Sequence, residues 1–238
     1  MAHPRVPPKA RRRASRKALH RPFRITLSFD NGPDPEVTPQ VLDVLARADL
    51  KASFFVLGEK VCKPAHRAAA ERASAEGHWI GNHTFHHALP LGLSHNPDMP
   101  AKEIGRTQEL LGSLAHERRL FRPFGGGGKL GGHLLSRAAL DYLVTGRYTC
   151  VLWNAIPRDW ADPAGWVKTA LAQCRAQAWS LVVLHDLPTG AMDRLDRFIG
   201  EAQDAGASFV QQFPPDCVPL VQGRAVGKIE DYVTETGG

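Results

Sequence analysis

Ile25-Thr26-Leu27-Ser28-Phe29-Asp30-Asn31-Gly32-Pro33 carries an apolar run, Ile25 to Phe29, into a Gly-Pro turn, with a carboxylate and a carboxamide side by side at the joint. Such a run, rich in large apolar residues and closed by turn residues, reads as a β-strand. Side chains at a strand end of this kind point into an open mouth, so Asp30 and Asn31 stand where chemistry is done. Asp30 can accept a proton or bind a cation, whereas Asn31 offers a neutral carbonyl oxygen as acceptor or ligand.

Downstream of Phe23, short β-branched or aromatic runs alternate with longer helix-period segments, the pattern of βα units. Strands are predicted at Ile25–Asp30, Ser53–Leu57, Trp79–His83, Leu120–Arg122, Thr149–Trp153, Leu181–His185 and Ser208–Gln211. Helices are predicted at Thr38–Ala48, Ala65–Glu76, Ala101–Ala115, Leu134–Leu143, Pro163–Ala178 and Met192–Ala205. Thr38 before Pro39 and Asp162 before Pro163 read as N-caps with proline in the first helical position. Seven strands with six helices between them fit an α/β fold, a distorted (β/α)7-type barrel of mostly parallel strands with outer helices. The glycines at 125–128 follow a short strand, where bare backbone can approach a ligand closely.

The chain has 238 residues, enough for one barrel domain, and a formal net charge of +6. Eight of its cations, from Arg5 to Arg21, lie in the first 22 residues without an acidic partner, leaving 22 Lys+Arg against 24 Asp+Glu in the body from Phe23 to Gly238. Residues 1–22 therefore form a basic tail expected to be disordered, since its composition cannot repay the entropy of ordering. A body near neutrality argues against specific nucleic-acid binding. No secretory apolar segment follows the tail and no run approaches the length of a membrane span, which makes a cytoplasmic protein the expectation. The four cysteines are far apart with no C-x-x-C pair, so they read as small core residues or free thiols rather than as a zinc knot or disulfide scaffold.

Polar residues gather at the predicted C-terminal strand ends, where barrels of this class carry their active sites: Asp30 and Asn31, His83 to His87, Arg122, Asp159 and His185. His83 and His87 stand at i and i+4, and on a helical turn both imidazoles would face one divalent metal. His86 lies off that face and reads as a supporting residue.

These motifs resemble the polysaccharide deacetylase family, the NodB homology domain or carbohydrate esterase family 4, over roughly residues 24 to 212. Ser28 to Pro33 is similar to the family's Thr-Phe-Asp-Asp-Gly-Pro, which implies Asp30 as catalytic base and Asn31 in the place of a ligand aspartate. His83, Thr84 and His87 match His-Ser/Thr-x-x-His, implying two further ligands. Arg122-Pro123-Phe124-Gly125 is similar to Arg-Pro-Pro-Tyr-Gly, either one residue short or with Gly125 in the aromatic position. Trp153 with Asp159-Trp160 resembles the fourth motif, with Ile156 where an aspartate is usual, and Leu184-His185 matches the fifth, implying His185 as general acid.

The resemblance implies a divalent cofactor, zinc first and cobalt or a similar ion next. An open metal site lowers the pKa of bound water and polarises an amide carbonyl. Asp30 would then take the water proton and His185 would protonate the leaving amine. Arg122 would fix Asp30, Asp159 would orient His185, and backbone N–H groups at Phe124 and Gly125 would face the oxyanion. Trp160 and Leu184 would wall a slot for the acetyl methyl.

The expected activity is hydrolysis of a carbon–nitrogen bond other than a peptide bond, removing acetyl from an N-acetylated glycan of chito-oligosaccharide or peptidoglycan type. Two alternatives stand beside it: a catalytically impaired carbohydrate-binding member, motivated by Asn31 and Ile156, and a hydrolase of a non-sugar linear amide.

Overall fold

A computed structural model describes residues 22–234; the tail as far as residue 21, with its expected disorder, lies outside them. The strands are β1 (Phe23–Asp30), β2 (Ser53–Val56), β3 (Trp79–Asn82), β4 (Leu120–Phe121), β5 (Thr149–Cys150), β6 (Trp179–His185), β7 (Ala207–Phe209), β8 (Leu220–Val221) and β9 (Arg224–Ala225). They form one sheet in the order β6-β1-β2-β3-β4-β5-β8-β9, with β7 against the start of β1. Every pairing from β6 to β5 is parallel, and β8 and β9 add an antiparallel edge. A parallel bridge between Ala155 and Val182 ties the segment after β5 back to β6 and curls the sheet into a barrel.

β1 lies between β6 and β2 in this sheet, and its sequence alternates in a way its hydrophobicity hides. Ile25, Leu27 and Phe29 belong to the main apolar cluster with the helices, while the intervening positions are Thr26, Ser28 and Asp30. Since successive side chains leave opposite faces of a strand, the second set turns into the barrel. There the Thr26 hydroxyl donates to the Gln212 carbonyl at 2.6 Å and the Ser28 hydroxyl to the Val182 carbonyl at 3.0 Å. Register carries this inward row across the sheet: Asp30 pairs with His185 of β6 and Phe55 of β2, and Phe55 with Gly81 of β3.

Seven α-helices cover the sheet among the described residues: α1 (Val37–Arg47), α2 (Gly58–Val61), α3 (Pro64–Ala75), α4 (Arg106–Leu111), α5 (Arg137–Thr145), α6 (Trp166–Arg175) and α7 (Leu195–Asp204). α1 buries Val41, Leu42 and Leu45 against the barrel. The expected helix Ala101–Ala115 is instead π-helical over Ala101–Gly105, α-helical over Arg106–Leu111 and 3-10 over Gly112–Leu114. The expected fifth strand is cut to two residues, because Val151 and Leu152 pair outside a ladder, with the carbonyls of Phe121 and Cys217. Neither expected N-cap holds. α1 starts at Val37, and Asp34 accepts from the Val37 amide at 2.9 Å, while the Thr38 hydroxyl turns to Asp186. Asp162 accepts from the Gly165 amide at 2.9 Å, so it closes a turn ahead of α6. Ser136 is a true cap, accepting from the Ala139 amide at 3.1 Å at the start of α5.

Candidate active site

Asp30 ends β1, 4% exposed, and its two oxygens have different neighbours. Oδ1 accepts from Arg122 Nη1 at 2.7 Å; Oδ2 stands 3.6 Å from His83 Nε2. Arg122 is fully buried and donates also to the Ser28 hydroxyl at 2.8 Å and to the carbonyls of Val151 and Leu152 at 3.2 Å each. Its guanidinium lies 3.9 Å above the Phe55 ring. One oxygen of Asp30 is thus fixed by a cation and the other faces the mouth.

The turn after Asp30 is built for close approach. Asn31 takes φ of 68°, a left-handed conformation that asparagine tolerates better than most residues. A Cβ on Gly32 would lie 2.2 Å from the Asp186 carboxylate, so that position requires glycine. The Asn31 Oδ1 atom is buried without a hydrogen-bond partner.

His83 and His87 do not share a helical turn. They sit in an irregular loop with φ of 72° at Thr84 and 55° at His87, and the loop itself brings their rings to 4.8 Å. Glu103, in the π-helical stretch, holds this loop. Its Oε2 accepts from the amides of Phe85 and His86 at 2.9 Å each, and Oε1 pairs with the half-exposed His86 ring at 2.7 Å. His83 Nδ1 donates to the Arg122 carbonyl at 2.8 Å, which leaves Nε2 as the acceptor nitrogen facing the mouth. Burial pushes both imidazoles down to about 3, so both are neutral, as metal ligation requires.

Across the mouth, His185 ends β6. Asp159 grips it twice, with Oδ1 on the Nδ1–H at 2.9 Å and Oδ2 on the backbone amide at 2.9 Å. Burial lowers the imidazole's pKa, but the Asp159 hydrogen bond and the charges of Asp159, Asp30 and Asp186 outweigh it, and the net shift is upward. The Trp160 ring meets His185 edge-on at 4.7 Å.

Asp30, Asn31, His83, His87, His185 and Trp160 line one cavity of about 270 Å³ together with Phe124 and Gly125. Arg122 and Asp159 stand behind it, each holding one of these groups. Leu184 is the exception. It leaves β6 on the opposite face from His185 and joins the helix-side core, and Val183 and Leu187 line the cavity instead. Asp186 and Glu103 were not anticipated. Asp186 adjoins a recognised histidine, so its signal lay in the sequence, whereas nothing local marks Glu103. Burial drives the Asp186 carboxyl up to about 7.

Among the described residues no three His, Cys, Asp or Glu side chains are grouped to hold a metal. The third donor to an ion here would be an amide oxygen, and the residues fit one: an orphaned buried Oδ1 on Asn31 lining one cavity with two neutral imidazoles. The cysteines take no part, Cys62 being exposed and Cys150, Cys174 and Cys217 buried elsewhere.

A curled, mostly parallel sheet with acid–base side chains gathered at its carboxyl ends defines a barrel-type active site, and similarity to known proteins gives its family. The polysaccharide deacetylase family model matches residues 19–137. Two Bacillus cereus proteins named peptidoglycan-N-acetylglucosamine deacetylase are each 32% identical, over 191 and 195 residues; the matches cover 78% of this chain and 66% and 84% of theirs. A chitooligosaccharide deacetylase from Rhizobium leguminosarum bv. trifolii is 35% identical over 170 residues, 68% of this chain and 71% of its own. A family 4 acetyl xylan esterase from Clostridium thermocellum, solved in complex with a cobalt ion, superposes with a TM-score of 0.63 at 27% identity, over 79% of this chain and 87% of that one. The chain belongs to the polysaccharide deacetylase family, and the deacetylases among its relatives are hydrolases of carbon–nitrogen bonds other than peptide bonds.

Proposed function

We propose that this protein is a metal-dependent deacetylase of N-acetylated amino sugars in chito-oligosaccharides or peptidoglycan. The observation that carries the reading is the pairing of two oriented acid–base groups across one cavity, Asp30 held by Arg122 and His185 held by Asp159. Asn31 Oδ1 and the ring nitrogens of His83 and His87 would hold a divalent ion, zinc or cobalt, which when bound acidifies a water and polarises the acyl carbonyl. Asp30 takes the proton of the attacking water on Oδ2, the oxygen that Arg122 leaves free. The hydroxyl oxygen bonds to the carbonyl carbon. His185, held through its Nδ1–H by Asp159 and carrying its second proton on Nε2 as the imidazolium, gives that proton to the amide nitrogen as the C–N bond breaks. Acetate and a free amine leave. Backbone N–H groups at Phe124 and Gly125 would steady the oxyanion, at about 3–4 kcal/mol for one well-placed donor.

Asn31 favours one other reading, a carbohydrate-binding member with impaired catalysis, because a neutral amide is a weaker metal donor than a carboxylate. Acetate release from chito-oligosaccharides and peptidoglycan fragments, measured with the metal content of the same preparation, separates the two. Asp30→Asn should abolish release and keep the metal. Full metal occupancy in the unaltered protein with no acetate released from any substrate would defeat the deacetylase reading.

A further inference from the structure

The cavity has more apolar wall than an acetyl methyl needs. Its polar side chains, Asp30, Asn31, His83, His87 and His185, are all taken up by the proposed reaction. The remainder is Phe124, Trp153, Ile156, Trp160, Val183 and Leu187, with Pro123 and the backbone of the glycines at 125–128. Trp153 has no polar atom to offer a ligand, since its Nε1–H already donates to the Gly128 carbonyl at 3.0 Å.

Ile156 is held firmly in this wall. A Cβ on Gly128 would lie 2.7 Å from Ile156 Cδ1, so the glycine loop rests directly on the isoleucine. The Gln173 side chain donates to the Ile156 carbonyl at 2.9 Å. The preceding Ala155 bridges Val182, and the Asn154 carboxamide accepts from the Leu181 amide at 2.7 Å, so the segment is pinned to β6 just before His185. Ile156, Trp153 and Val183 pack as parts of one apolar cluster. Val183 lies two residues before His185 and shares its face of the strand. An amide whose nitrogen is within reach of His185 can therefore lay its acyl tail along Val183 toward Trp153 and Ile156.

We infer that this wall is an acyl pocket, and that Ile156 selects N-acyl groups longer than acetyl, of propionyl or butyryl size. The inference rests on the reading of the protein as an amide hydrolase and narrows its substrate class. Burying one further methylene is worth about a fourfold gain in kcat/KM, so the N-butyryl substrate should exceed the N-acetyl one by about an order of magnitude.

The test is hydrolysis of N-acetyl, N-propionyl and N-butyryl glucosamine oligomers of one length by the metal-loaded protein and by Ile156→Asn. The unaltered protein should prefer the longer groups, and the Ile156→Asn ratio of butyryl to acetyl kcat/KM should fall toward one. A clear preference for acetyl in the unaltered protein overturns the inference and leaves the deacetylase reading standing. Cleavage of none of the three defeats the reading of the protein as a hydrolase of N-acylated glucosamine oligomers. The pocket is then judged by binding of the free carboxylates: butyrate should bind about an order of magnitude more tightly than acetate, and equal affinities refute it. Ile156→Val, which keeps an apolar side chain, should retain most of the preference if the variant with asparagine folds poorly; loss of the preference in Ile156→Val counts against the assignment.

Discussion

Replacing Arg122 by methionine should destabilise the fold by about 3–5 kcal/mol, the usual cost of stranding one partner of a buried ion pair. The structure puts this site near the upper end of what single substitutions do. The guanidinium is fully buried and serves four acceptors: Asp30 at 2.7 Å, Ser28 at 2.8 Å, and the carbonyls of Val151 and Leu152 at 3.2 Å. Methionine keeps much of the apolar stem over Phe55 but no donor, so the buried Asp30 carboxylate loses its cation and two carbonyls lose a partner. The neutral bonds account for about 1 kcal/mol each and the stranded charge for most of the rest. In a domain of this size the total corresponds to a fall in Tm of about 6–20 °C. Urea unfolding followed by fluorescence gives the free energy, with an unchanged m-value as the check that unfolding is still the same transition. A double-mutant cycle with Asp30→Asn isolates the pair, and its coupling should reach about 2 kcal/mol or more. Additivity within about 0.5 kcal/mol, or a total cost below about 1 kcal/mol, would refute the claim that this ion pair holds the barrel mouth.

Asn31→Asp should tighten metal binding by adding a carboxylate beside His83 and His87; an unaltered affinity in a metal titration would show that position 31 does not touch the ion. Asp159→Asn should lower the His185 pKa, since it removes the hydrogen bond and the nearest charge that raise it. In the unaltered protein the stability this pair contributes is present below the ordinary histidine value and is lost as pH rises through the higher folded value. The basic limb of the rate profile should therefore move to lower pH in Asp159→Asn, and an unmoved limb rules out Asp159 as the group that sets His185. Asp186 has the opposite consequence. A carboxyl raised from 3.8 to about 7 holds a proton in the fold that the unfolded chain has released, so stability falls as pH rises across that window. The fall accumulates to about 4 kcal/mol; Asp186→Asn should flatten it, and an equal slope in variant and parent would assign the pH dependence elsewhere.

Much of the site was legible because its residues follow strand ends in order along the chain. Asp30, His83, Arg122 and His185 each close a short apolar run, and a barrel brings such ends to one mouth whatever the lengths of the helices between them. Helix boundaries were less legible. The stretch from Ala101 carries an apolar period, yet it widens into a π-turn where the Glu103 side chain is drawn in to bind the amides of Phe85 and His86. Leu184 was misplaced because an unbroken apolar strand gives no sign of which residues face inward. Its orientation follows from the register of β6 on β1, in which Leu184 pairs with Phe29 and His185 with Asp30.

By itself, then, the sequence determined the alternation of strands and helices, the family, and the residue types available for chemistry, because these depend on local periodicity and on motifs a few residues long. The tertiary structure alone decided the rest. It decided which oxygen of Asp30 is free, which nitrogen of His83 faces the mouth, that Asn31 keeps an unpaired oxygen there, and that Ile156 walls the cavity in company with Trp153 and Val183. Each of these depends on a partner far away in the chain, such as Arg122 for Asp30 and Gly128 for Ile156, and only packing brings such partners within hydrogen-bonding or van der Waals reach.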